Sequence, residues 1–510
     1  MRALISVWDK AGLAEFAAGL AEVGCELVAT GGTAASLEEL ALEVTRVDEL
    51  TEMPELLGGR VKTLHPRVHA GILARADRAD DVAALDEHQI DLFDLVCVNL
   101  YPFEQAREVE MIDVGGPTLL RAAAKNWARV AAVCRPEQYG PVLDELRAGA
   151  ISDETRRRLA GEAFAATASY DALVAAWLAD EEFPARLTLS FDKVLDLTYG
   201  ENPHQRAAYY AALGTPGHVL ADVGQLSGKP LSYNNLDDLA AARLLLAELD
   251  GPGCVIVKHA NPCGAAEADT AEEAYERAFA CDPLSAYGAV VVVDRPVDAR
   301  VGERIARQFV EVLLAPEYAD AALAALAAKP ATRILVGDTR TRNTLVRGSH
   351  DFRCLPGALL VQERDAGIDG REGMELVRGE LDEAGWQDAV FAWRVCKHVS
   401  SNAIVIAKNR AAIGIGAGQQ SRVDAVRLAL EKARERGHDL VGAVLASDGF
   451  FPFADGPALA LEAGVRALVQ PGGSKRDDEV IDVANRAGAA MVFTGRRHFR
   501  HSCSRWQTPA

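Results

Sequence analysis

The stretch at residues 253–264, GCVIVKHANPCG, places a lysine and a histidine side by side at the end of an apolar run. Successive strand residues point to opposite faces, so Lys258 and His259 can share a site only where the strand stops. We predict that they lie at the carboxyl end of a strand, where open α/β sheets bind ligands. Residues 261–264 then form a turn, because Pro262 disfavours a helical Asn261. A strand end with two solvated side chains is the alternative.

Three glycine-bearing turns between a strand and a helix could hold a phosphate. They are SVWDKAG (6–12), TGGT (30–33) and GIGAGQQSR (414–422). At such a turn the backbone N–H groups and the helix dipole both face the anion. The third turn is not a dinucleotide fingerprint, because Gln419 stands where that pattern needs glycine. Any one of these glycines could also serve the turn alone.

Cations crowd the stretch GGRVKTLHPRVHAGIL (58–73). We expect a loop that presses onto an anionic ligand, with a solvated basic loop as the alternative. Further along, Tyr101 ends a predicted strand. Arg121 and Lys125 share a helical face because they are four residues apart, and two cations on one face repel each other. We therefore expect that they either bind a shared anionic partner or are simply exposed to solvent.

The elements that position these residues alternate along the first 130 residues. The predicted strands are 3–7, 25–30, 92–101 and 130–135, and the predicted helices are 11–24, 33–41 and 117–128. This alternation indicates βαβ units and a parallel sheet. Residues 152–180 read as helical and 179–188 as a linker. Alternation resumes later, without a fixed-period repeat, and 331–390 is the least readable part.

Length and charge narrow the class of protein. A chain of 510 residues is too long for one core, and a net charge of −20 argues against a nucleic-acid or anionic membrane surface. No apolar run is long enough to span a membrane, and Asp9 and Lys10 come too early for a signal peptide. Nine cysteines without CxxC pairs indicate reduced thiols in the cytoplasm and no metal site.

Eleven motifs in one order resemble a known family. They are TGGTA, GRVKTLHPRVHAGIL, NLYPF, IDVGGPTLLRAAAKN, YGENPHQ, SYNN, KHANPCG, SNAIVIAKN, GIGAGQQSR, SDGFFPF and RHFRH. Together they resemble the bifunctional purine-biosynthesis family of AICAR transformylase/IMP cyclohydrolase, from about residue 3 to about 501. The resemblance rests on the whole series, since no single turn carries it.

The resemblance implies an α/β fold with two domains. Residues 1–185 would form a methylglyoxal-synthase-like parallel sheet domain with the IMP cyclohydrolase activity. Residues 190–510 would form a larger transformylase domain of two cytidine-deaminase-like α/β subdomains. The enzyme would transfer a formyl group from 10-formyltetrahydrofolate to AICAR, and would then close the product, FAICAR, to IMP with loss of water.

The resemblance also implies the ligands and partners. The cosubstrate would be 10-formyltetrahydrofolate, without a tightly bound cofactor, and a monovalent cation stays open as a further ligand. The protein would be a cytoplasmic homodimer with its transformylase sites at the subunit interface. It would bind small molecules and neither nucleic acid nor membrane.

For formyl transfer, the resemblance assigns His259 as the base that takes a proton from the AICAR amine, a role that suits an imidazole near neutral pH. Lys258 would stabilise the oxyanion or protonate the departing folate nitrogen. A cation beside the imidazole also keeps it neutral.

For ring closure, the resemblance assigns Lys62 to the oxyanion. It assigns the pair of Asp113 and Lys125, together with Tyr101, to proton transfer, with their division of roles open. The residues matched to substrate binding are Ser6, Lys10, Gly32, Thr33, Arg60, Thr63, Tyr199, His204, Asn234, Glu311, Asn402, Arg422, Phe450, Asp455 and Arg497.

Four features depart from the family pattern or stand beside it. Trp8 replaces a common serine in the first phosphate turn, and Thr198 replaces an arginine before YG. Cys263 is either a packing residue or a reactive thiol, and residues 502–510 extend beyond the usual end as a disordered tail.

The sequence disfavours two other functions. A nucleotide-binding regulatory protein without catalysis is disfavoured because all six catalytic residues are present. A nicotinamide dehydrogenase is disfavoured because the fingerprint fails.

Overall fold

The computed structural model describes residues 1–214, 217–340, 350–366 and 370–501. The predicted disordered tail, 502–510, lies outside these residues. The chain divides into an N-terminal unit, Met1–Asp192 with Ala212–Gly214, and a C-terminal unit, Lys193–Ala211 with Thr215–Ala510. The predicted linker at 179–188 contains neither helix nor strand.

The N-terminal unit alternates strands and helices, as the sequence predicts. Its elements are β1 Arg2–Val7, α1 Leu13–Glu22, β2 Glu26–Ala29, α2 Gly31–Glu38, β3 Val44–Arg46, α3 Val47–Thr51, α4 Pro66–Leu73, α5 Ala79–His88, β4 Leu95–Asn99, α6 Gly115–Lys125, β5 Ala131–Val133, α7 Tyr139–Arg147 and α8 Asp153–Leu178. Within the described chain the strands form one five-stranded sheet in the order β3-β2-β1-β4-β5, with every pair parallel. The predicted parallel sheet is confirmed.

Both faces of this sheet are covered by helices. One core contains α1 and α7, and the other contains α4, α6 and part of α8. A strand buried on both faces is apolar throughout, as the runs ALI (3–5) and LVCV (95–98) are. The strand order reverses between β1 and β4, and such a switch point opens a crevice beyond the strand ends.

The basic stretch 58–73 differs from its prediction as a loop. Its second half is α4, which begins at Pro66. Proline suits the first helical position because its missing N–H needs no partner there. The His65 side chain caps the helix, since its Nδ1 accepts the backbone N–H of Arg67 at 3.2 Å. Only the first half of the stretch is a loop.

The C-terminal unit is larger. Its elements are β6 Phe191–Leu197, β7 Ala207–Ala212, β8 Val223–Ser227, α9 Tyr233–Glu248, β9 Gly253–Lys258, β10 Asn261–Glu267, α10 Ala271–Cys281, α11 Pro283–Ala286, β11 Val290–Val293, α12 Ala299–Ala306, β12 Val312–Ala315, α13 Asp320–Leu326, β13 Arg333–Gly337, β14 His350–Leu355, β15 Ala358–Glu363, β16 Glu375–Arg378, α14 Glu383–Lys397, β17 Ile404–Lys408, β18 Ala411–Gly416, α15 Arg422–Glu435, β19 Val444–Ser447, α16 Asp455–Glu462, β20 Ala467–Gln470, α17 Asp477–Arg486 and β21 Ala490–Phe493. The described strands of the main sheet run β16-β21-β20-β19-β17-β18-β10-β9-β11-β12-β13-β8.

This sheet contains an internal structural repeat, although the sequence shows no repeat of fixed period. A helix, a β-hairpin, a second helix and parallel strands occur first as α9 to β13 and again as α14 to β21. The two repeats meet at the pair β10 and β18. The cytidine-deaminase-like assignment of these subdomains stays a prediction.

The position of Lys258 as the last residue of a strand is confirmed. The predicted turn at 261–264 is wrong, because these residues belong to β10, with an irregularity at Pro262. The turn is formed instead by His259 and Ala260, whose φ angles are 54° and 56°. Two left-handed residues are what a tight two-residue hairpin requires.

Candidate functional site

A cavity of about 760 Å³ opens at the switch point of the N-terminal sheet. It is lined by nine of the residues that the sequence assigns to ring closure and its substrate: Ser6, Lys10, Gly32, Thr33, Arg60, Lys62, Thr63, Tyr101 and Asp113. Its volume lies within the roughly 300–1,000 Å³ of small-molecule sites. The structure therefore brings most of that set together in one chain.

The two phosphate-type turns in this cavity are braced against each other. The hydroxyl of Thr30 donates to Ser6 Oγ at 3.0 Å. Thr33 Oγ1 accepts the backbone N–H of Val7 at 3.1 Å and donates to the Val7 carbonyl at 3.2 Å. The Thr33 hydroxyl thus supports the turn. Asn99, which the sequence analysis missed, holds the same loop because its Oδ1 accepts the backbone N–H of Trp8 at 2.6 Å.

Two cations of the cavity, Arg60 and Lys62, have acidic partners within the chain. Lys62 Nζ lies 3.2 Å from Glu55, and Arg60 pairs with Glu110, which also lines the cavity. The sequence analysis predicted neither acid. Both pairs are partly exposed, so each contributes little to stability. An anionic ligand can therefore compete for these cations at small cost.

Asp113 is a half-buried acid that lines the cavity. Burial raises the pKa of its carboxyl, while hydrogen bonds from the backbone N–H groups of Gly116 and Tyr101 act in the opposite direction. The bond from Gly116 is 2.8 Å long. The backbone N–H of Asp113 donates to the Tyr170 hydroxyl, also at 2.8 Å. A carboxylate with a raised pKa, fixed on both sides, is suited to act as a base.

Lys125 does not join this group. It is the last residue of α6, an 11-residue helix that begins just after Asp113. At 1.5 Å per residue the helix is about 15 Å long. Lys125 lines a different cavity with His69 and Arg121. The predicted pairing of Asp113 with Lys125 is therefore not formed within this chain.

Trp8 forms part of the cavity wall. Its side chain is about half exposed, and its ring meets the Tyr101 ring edge-on with 5.0 Å between centroids. An indole in place of a serine removes a hydroxyl and adds a flat apolar surface beside the predicted catalytic tyrosine.

The second candidate site is the β9–β10 turn. Lys258 Nζ donates to the backbone carbonyl of Tyr287 at 2.6 Å, and His259 is exposed. Both line a cavity of about 140 Å³ together with Asn261, Asp282 and other residues. The lysine and histidine therefore border one space, as the sequence predicts.

Asn261 connects this turn to the second repeat. Its Oδ1 accepts the backbone N–H of Ser400 at 2.8 Å, and its Nδ2 donates to the His259 carbonyl at 3.1 Å. Beyond Ser400, Asn402 Nδ2 donates to the Gln419 carbonyl at 2.9 Å. The sequence analysis missed Asn261 as a link because it read residues 261–264 as a turn.

Arg422 is the centre of a polar group in the second repeat. It donates to Asn402 Oδ1 and to Ser447 Oγ, each at 2.7 Å, and pairs with the fully buried Asp448. Asp448 also accepts the Ser401 hydroxyl. The predicted substrate residues Asn402 and Arg422 therefore contact each other, and Asp448 fixes the arginine.

The remaining predicted residues of the second repeat lie on nearby loops and helix ends. The Arg497 guanidinium lies 4.6 Å from the centroid of Phe499, and Arg422 reaches the same ring at 6.0 Å. Asp455 begins α16, and Phe450 is 41% exposed.

The predicted site residues of the first repeat and of the segment before it are not brought together as those of the second repeat are. Glu311 forms an ion pair of 2.6 Å with Arg333. Asn234 Nδ2 donates to the Glu201 carbonyl at 3.2 Å, and the Tyr199 carbonyl accepts a backbone bond from the start of α9. His204 is exposed. None of these contacts places the four residues in the small cavity beside His259.

The structure also gives the contacts of Thr198 and Cys263, two residues singled out in the sequence. The Thr198 hydroxyl donates to the Leu231 carbonyl at 3.0 Å, a bond internal to the fold. Burial raises the pKa of the Cys263 thiol to about 12, and its Sγ contacts the Ile256 carbonyl at 3.5 Å. A thiol with such a pKa is almost entirely protonated near neutral pH, which supports a packing role.

In the described part of the chain, no group of three or more His, Cys, Asp or Glu side chains is placed to hold a metal ion. In the same residues, no helix combines the length and the apolar character needed to cross a bilayer.

Comparison with known proteins gives two family matches. The model of the AICARFT/IMPCHase bienzyme matches residues 123–432, and the model of the MGS-like domain matches residues 12–126. A solved structure described as "Crystal structure of ForH" is 40% identical over 35% of this chain and 99% of its own. Its TM-score of 0.33 is too low to support an argument about the fold.

Proposed function

The chain belongs to the AICARFT/IMPCHase bienzyme family, whose members join a formyltransferase to an IMP cyclohydrolase, and from this membership we propose the full reaction. The enzyme transfers a formyl group from 10-formyltetrahydrofolate to the amine of AICAR, and then closes FAICAR to IMP. The observation that carries the proposal is the 760 Å³ cavity in which Lys62, Tyr101 and Asp113 converge. We place the reaction in the cytoplasm.

Ring closure joins two groups of one molecule. Aligned intramolecular reactions reach effective molarities of roughly 10⁵ M or more, so the cavity mainly has to orient FAICAR. The carboxamide nitrogen attacks the formyl carbon and gives up a proton to the Asp113 carboxylate. Lys62 neutralises the charge that forms on the formyl oxygen. The oxygen needs two protons to leave as water: Tyr101 donates one, and the proton that Asp113 took is the other. As the C–O bond breaks, the former formamide nitrogen forms the C=N bond of the ring and returns its proton to Tyr101.

Formyl transfer needs a base and a cation at one carbon. The AICAR amine is a weak nucleophile because it is conjugated with the ring, so His259 takes its proton as the new C–N bond forms. Lys258 stabilises the oxyanion and then protonates the departing folate nitrogen. An ammonium has three donors, so Lys258 can keep its bond to the Tyr287 carbonyl while it acts on the substrate.

The size of the second site supports a homodimer. The cavity beside Lys258 and His259 is about 140 Å³, which is smaller than the roughly 300 Å³ minimum of small-molecule sites. A ribotide and a folate need more space than this. We propose that a second copy of the chain completes the walls of the transformylase site.

The direct test is an assay of the purified full chain. AICAR with 10-formyltetrahydrofolate should give IMP, and omission of either compound should give none. FAICAR supplied alone should give IMP without folate. Binding of IMP without turnover of either substrate would refute the proposal and would favour a nucleotide-binding regulatory protein.

The assignment of the two sites is tested by separate variants. His259→Ala should reduce formyl transfer by about 10²–10⁴-fold, the usual contribution of a positioned base, and should leave FAICAR cyclisation intact. Lys62→Ala should have the opposite effect. Asn409→Ala, at the matching turn of the second repeat, is the control and should change neither rate by more than about 2-fold. Loss of both activities in a folded His259→Ala protein would contradict the assignment.

A further inference from the structure

The two repeats share a device at their hairpin turns. In the first repeat Asp238, on α9, accepts the backbone N–H of Ala260 at 2.6 Å. In the second repeat Asp388, on α14, accepts the backbone N–H of Arg410 at 2.6 Å. Ala260 and Arg410 are each the second residue of a two-residue turn with positive φ. The same acid on the preceding helix therefore holds the same backbone position in both repeats.

This contact has a physical reason. Left-handed backbone is unfavourable for a residue other than glycine, and each turn has two such residues. A hydrogen bond to a carboxylate is about twice as strong as one between neutral groups, so it offsets part of that cost. Burial raises the pKa of Asp238 to about 6, and the backbone N–H groups of Ala260 and His259 act against this rise. The turn and the acid therefore stabilise each other.

The two turns differ in what they present. Both turns expose their first residue, His259 and Asn409. The second turn also contacts the first repeat, since Arg277 donates to the Asn409 carbonyl and Arg410 lies 3.5 Å from Glu267. The first turn presents His259 to a cavity, so the Asp238 contact fixes a turn beside a candidate site.

We propose that Asp238 is a positioning residue for formyl transfer, because its carboxylate clamps the turn that aims the His259 imidazole at the substrate. The turn is held on its other side by Asn261, which bonds to the backbone of Ser400. The two contacts restrict the His259 backbone from both ends of the hairpin loop. The inference rests on the proposed function, in which His259 is the base.

The test compares Asp238→Ala, Asp238→Asn and the matched Asp388→Ala in the full chain. Steady-state kcat and KM are measured for formyl transfer, FAICAR cyclisation serves as the internal control, and thermal unfolding reports stability. Misplacement of a catalytic group by about 1 Å can cost 10²-fold. Asp238→Ala should lower the kcat of formyl transfer at least 10-fold and should change the KM for AICAR less than about 3-fold.

The two other variants separate positioning from stability. Asp238→Asn keeps an oxygen that can accept the Ala260 N–H, so it should retain kcat within about 3-fold. Asp388→Ala should lower the unfolding temperature as much as Asp238→Ala and should leave kcat unchanged. If Asp238→Ala does not fold, Asp238→Ser replaces it, because the shorter hydroxyl cannot span the same distance without a shift of the turn.

Three results would overturn the inference. The first is an equal kcat in Asp238→Ala and Asp388→Ala, and the second is a loss in Asp238→Asn as large as in Asp238→Ala. The third is full formyl transfer in Asp238→Ala when His259→Ala is inactive, which leaves the proposed function intact. Retention of formyl transfer in His259→Ala would instead refute the proposed function itself.

Discussion

The two candidate sites are prepared for chemistry in different ways. The cavity at the N-terminal switch point measures about 760 Å³ and combines a half-buried acid, cations and phosphate-type turns in one chain. The site at the β9–β10 turn measures about 140 Å³ and is lined by the hairpin together with residues such as Asp282 and, from the second repeat, Lys432. Ring closure has a single reactant, whereas formyl transfer has two. Under the proposed function, the unimolecular step uses the site built within one chain, and the two-substrate step uses the smaller site that we propose a second copy completes.

The sites also differ in how they hold the residue that we propose as the base. Asp113 lies between a strand end and α6 and receives backbone hydrogen bonds from both sides. His259 lies in a left-handed turn and depends on contacts to its backbone. The Asp113 carboxylate itself accepts the hydrogen bonds that hold it, whereas His259 is held through hydrogen bonds to the backbone of its turn.

The largest predicted effect tests the difference between the two sites at Asp113. Asp113→Asn should lower FAICAR cyclisation by about 10²–10⁴-fold, because an amide cannot accept the proton. Because burial raises the pKa of Asp113, the acid limb of kcat/KM should lie above the value of about 3.9 for an ordinary aspartate. Activity falls as the pH drops through this raised pKa, since only the carboxylate is a base.

A pH–rate profile of the native enzyme with FAICAR measures the limb, and formyl transfer by Asp113→Asn is the control. Cyclisation within 3-fold of the native rate in Asp113→Asn would remove Asp113 from the mechanism. An acid limb at or below pH 4 would show that burial does not tune this group.

The next effect is on stability, and we expect it in the C-terminal unit only. Glu248 pairs with Lys397 at 2.6 Å and with His398 at 2.9 Å, and all three side chains are at least 90% buried. Burial alone would raise the pKa of Glu248, but His398 and Lys397 outweigh it and hold the pKa at about 2. Glu248→Gln breaks a buried ion pair, which should lower the free energy of unfolding of the C-terminal unit by about 3–5 kcal/mol.

Hydrogen exchange in urea, read separately for peptides of each unit, measures this loss. The exposed acid Asp424, which pairs with Arg427, gives the control Asp424→Asn with a change below about 1 kcal/mol. The Glu248 contribution is present above its unfolded pKa of about 4.3 and is lost as the pH falls through its folded pKa of about 2. Equal losses in the N-terminal and C-terminal units would contradict the prediction.

A smaller effect would sharpen the description of the N-terminal cavity. Trp8 lies edge-on to Tyr101 and lines the space for the substrate. An aromatic contact contributes about 0.5–1.5 kcal/mol, so Trp8→Ser should raise the KM for FAICAR by about 2–10-fold with little change in kcat. Trp8→Phe keeps a ring and should stay within about 2-fold. A lower KM in Trp8→Ser would show that the indole obstructs the cavity.

The smallest effect concerns the thiol beside the β9–β10 site. Because burial raises the pKa of Cys263 to about 12, its thiolate fraction at pH 8 is about 10⁻⁴. Iodoacetamide at pH 8 should leave Cys263 unmodified in the native protein and modify it in urea. Cys263→Ala should change formyl transfer by less than about 2-fold. Rapid native alkylation, read by peptide mass spectrometry, would establish a reactive thiol.

Much of the N-terminal fold and its site follows from local patterns. Apolar runs between helical segments predicted β1, β2, β4 and β5, and the crevice at the end of β1 follows from their parallel order. The short strand β3 and the helix α4 were missed, since a three-residue strand and a basic helix carry weak signals. Tyr170 was missed as a partner of Asp113 because 57 residues separate them in the chain.

The sequence by itself determined which residue types are available and where strands end, because strand propensity and chain punctuation act over a few neighbours. It placed Lys258 at a strand end and Asp113 before a helix. Only the tertiary structure decided that Lys125 lies a helix length from Asp113, that residues 261–264 form a strand, and that Asp238 and Asp388 hold equivalent turns. Those outcomes depend on strand register and helix docking, which are set by contacts between residues far apart in the chain.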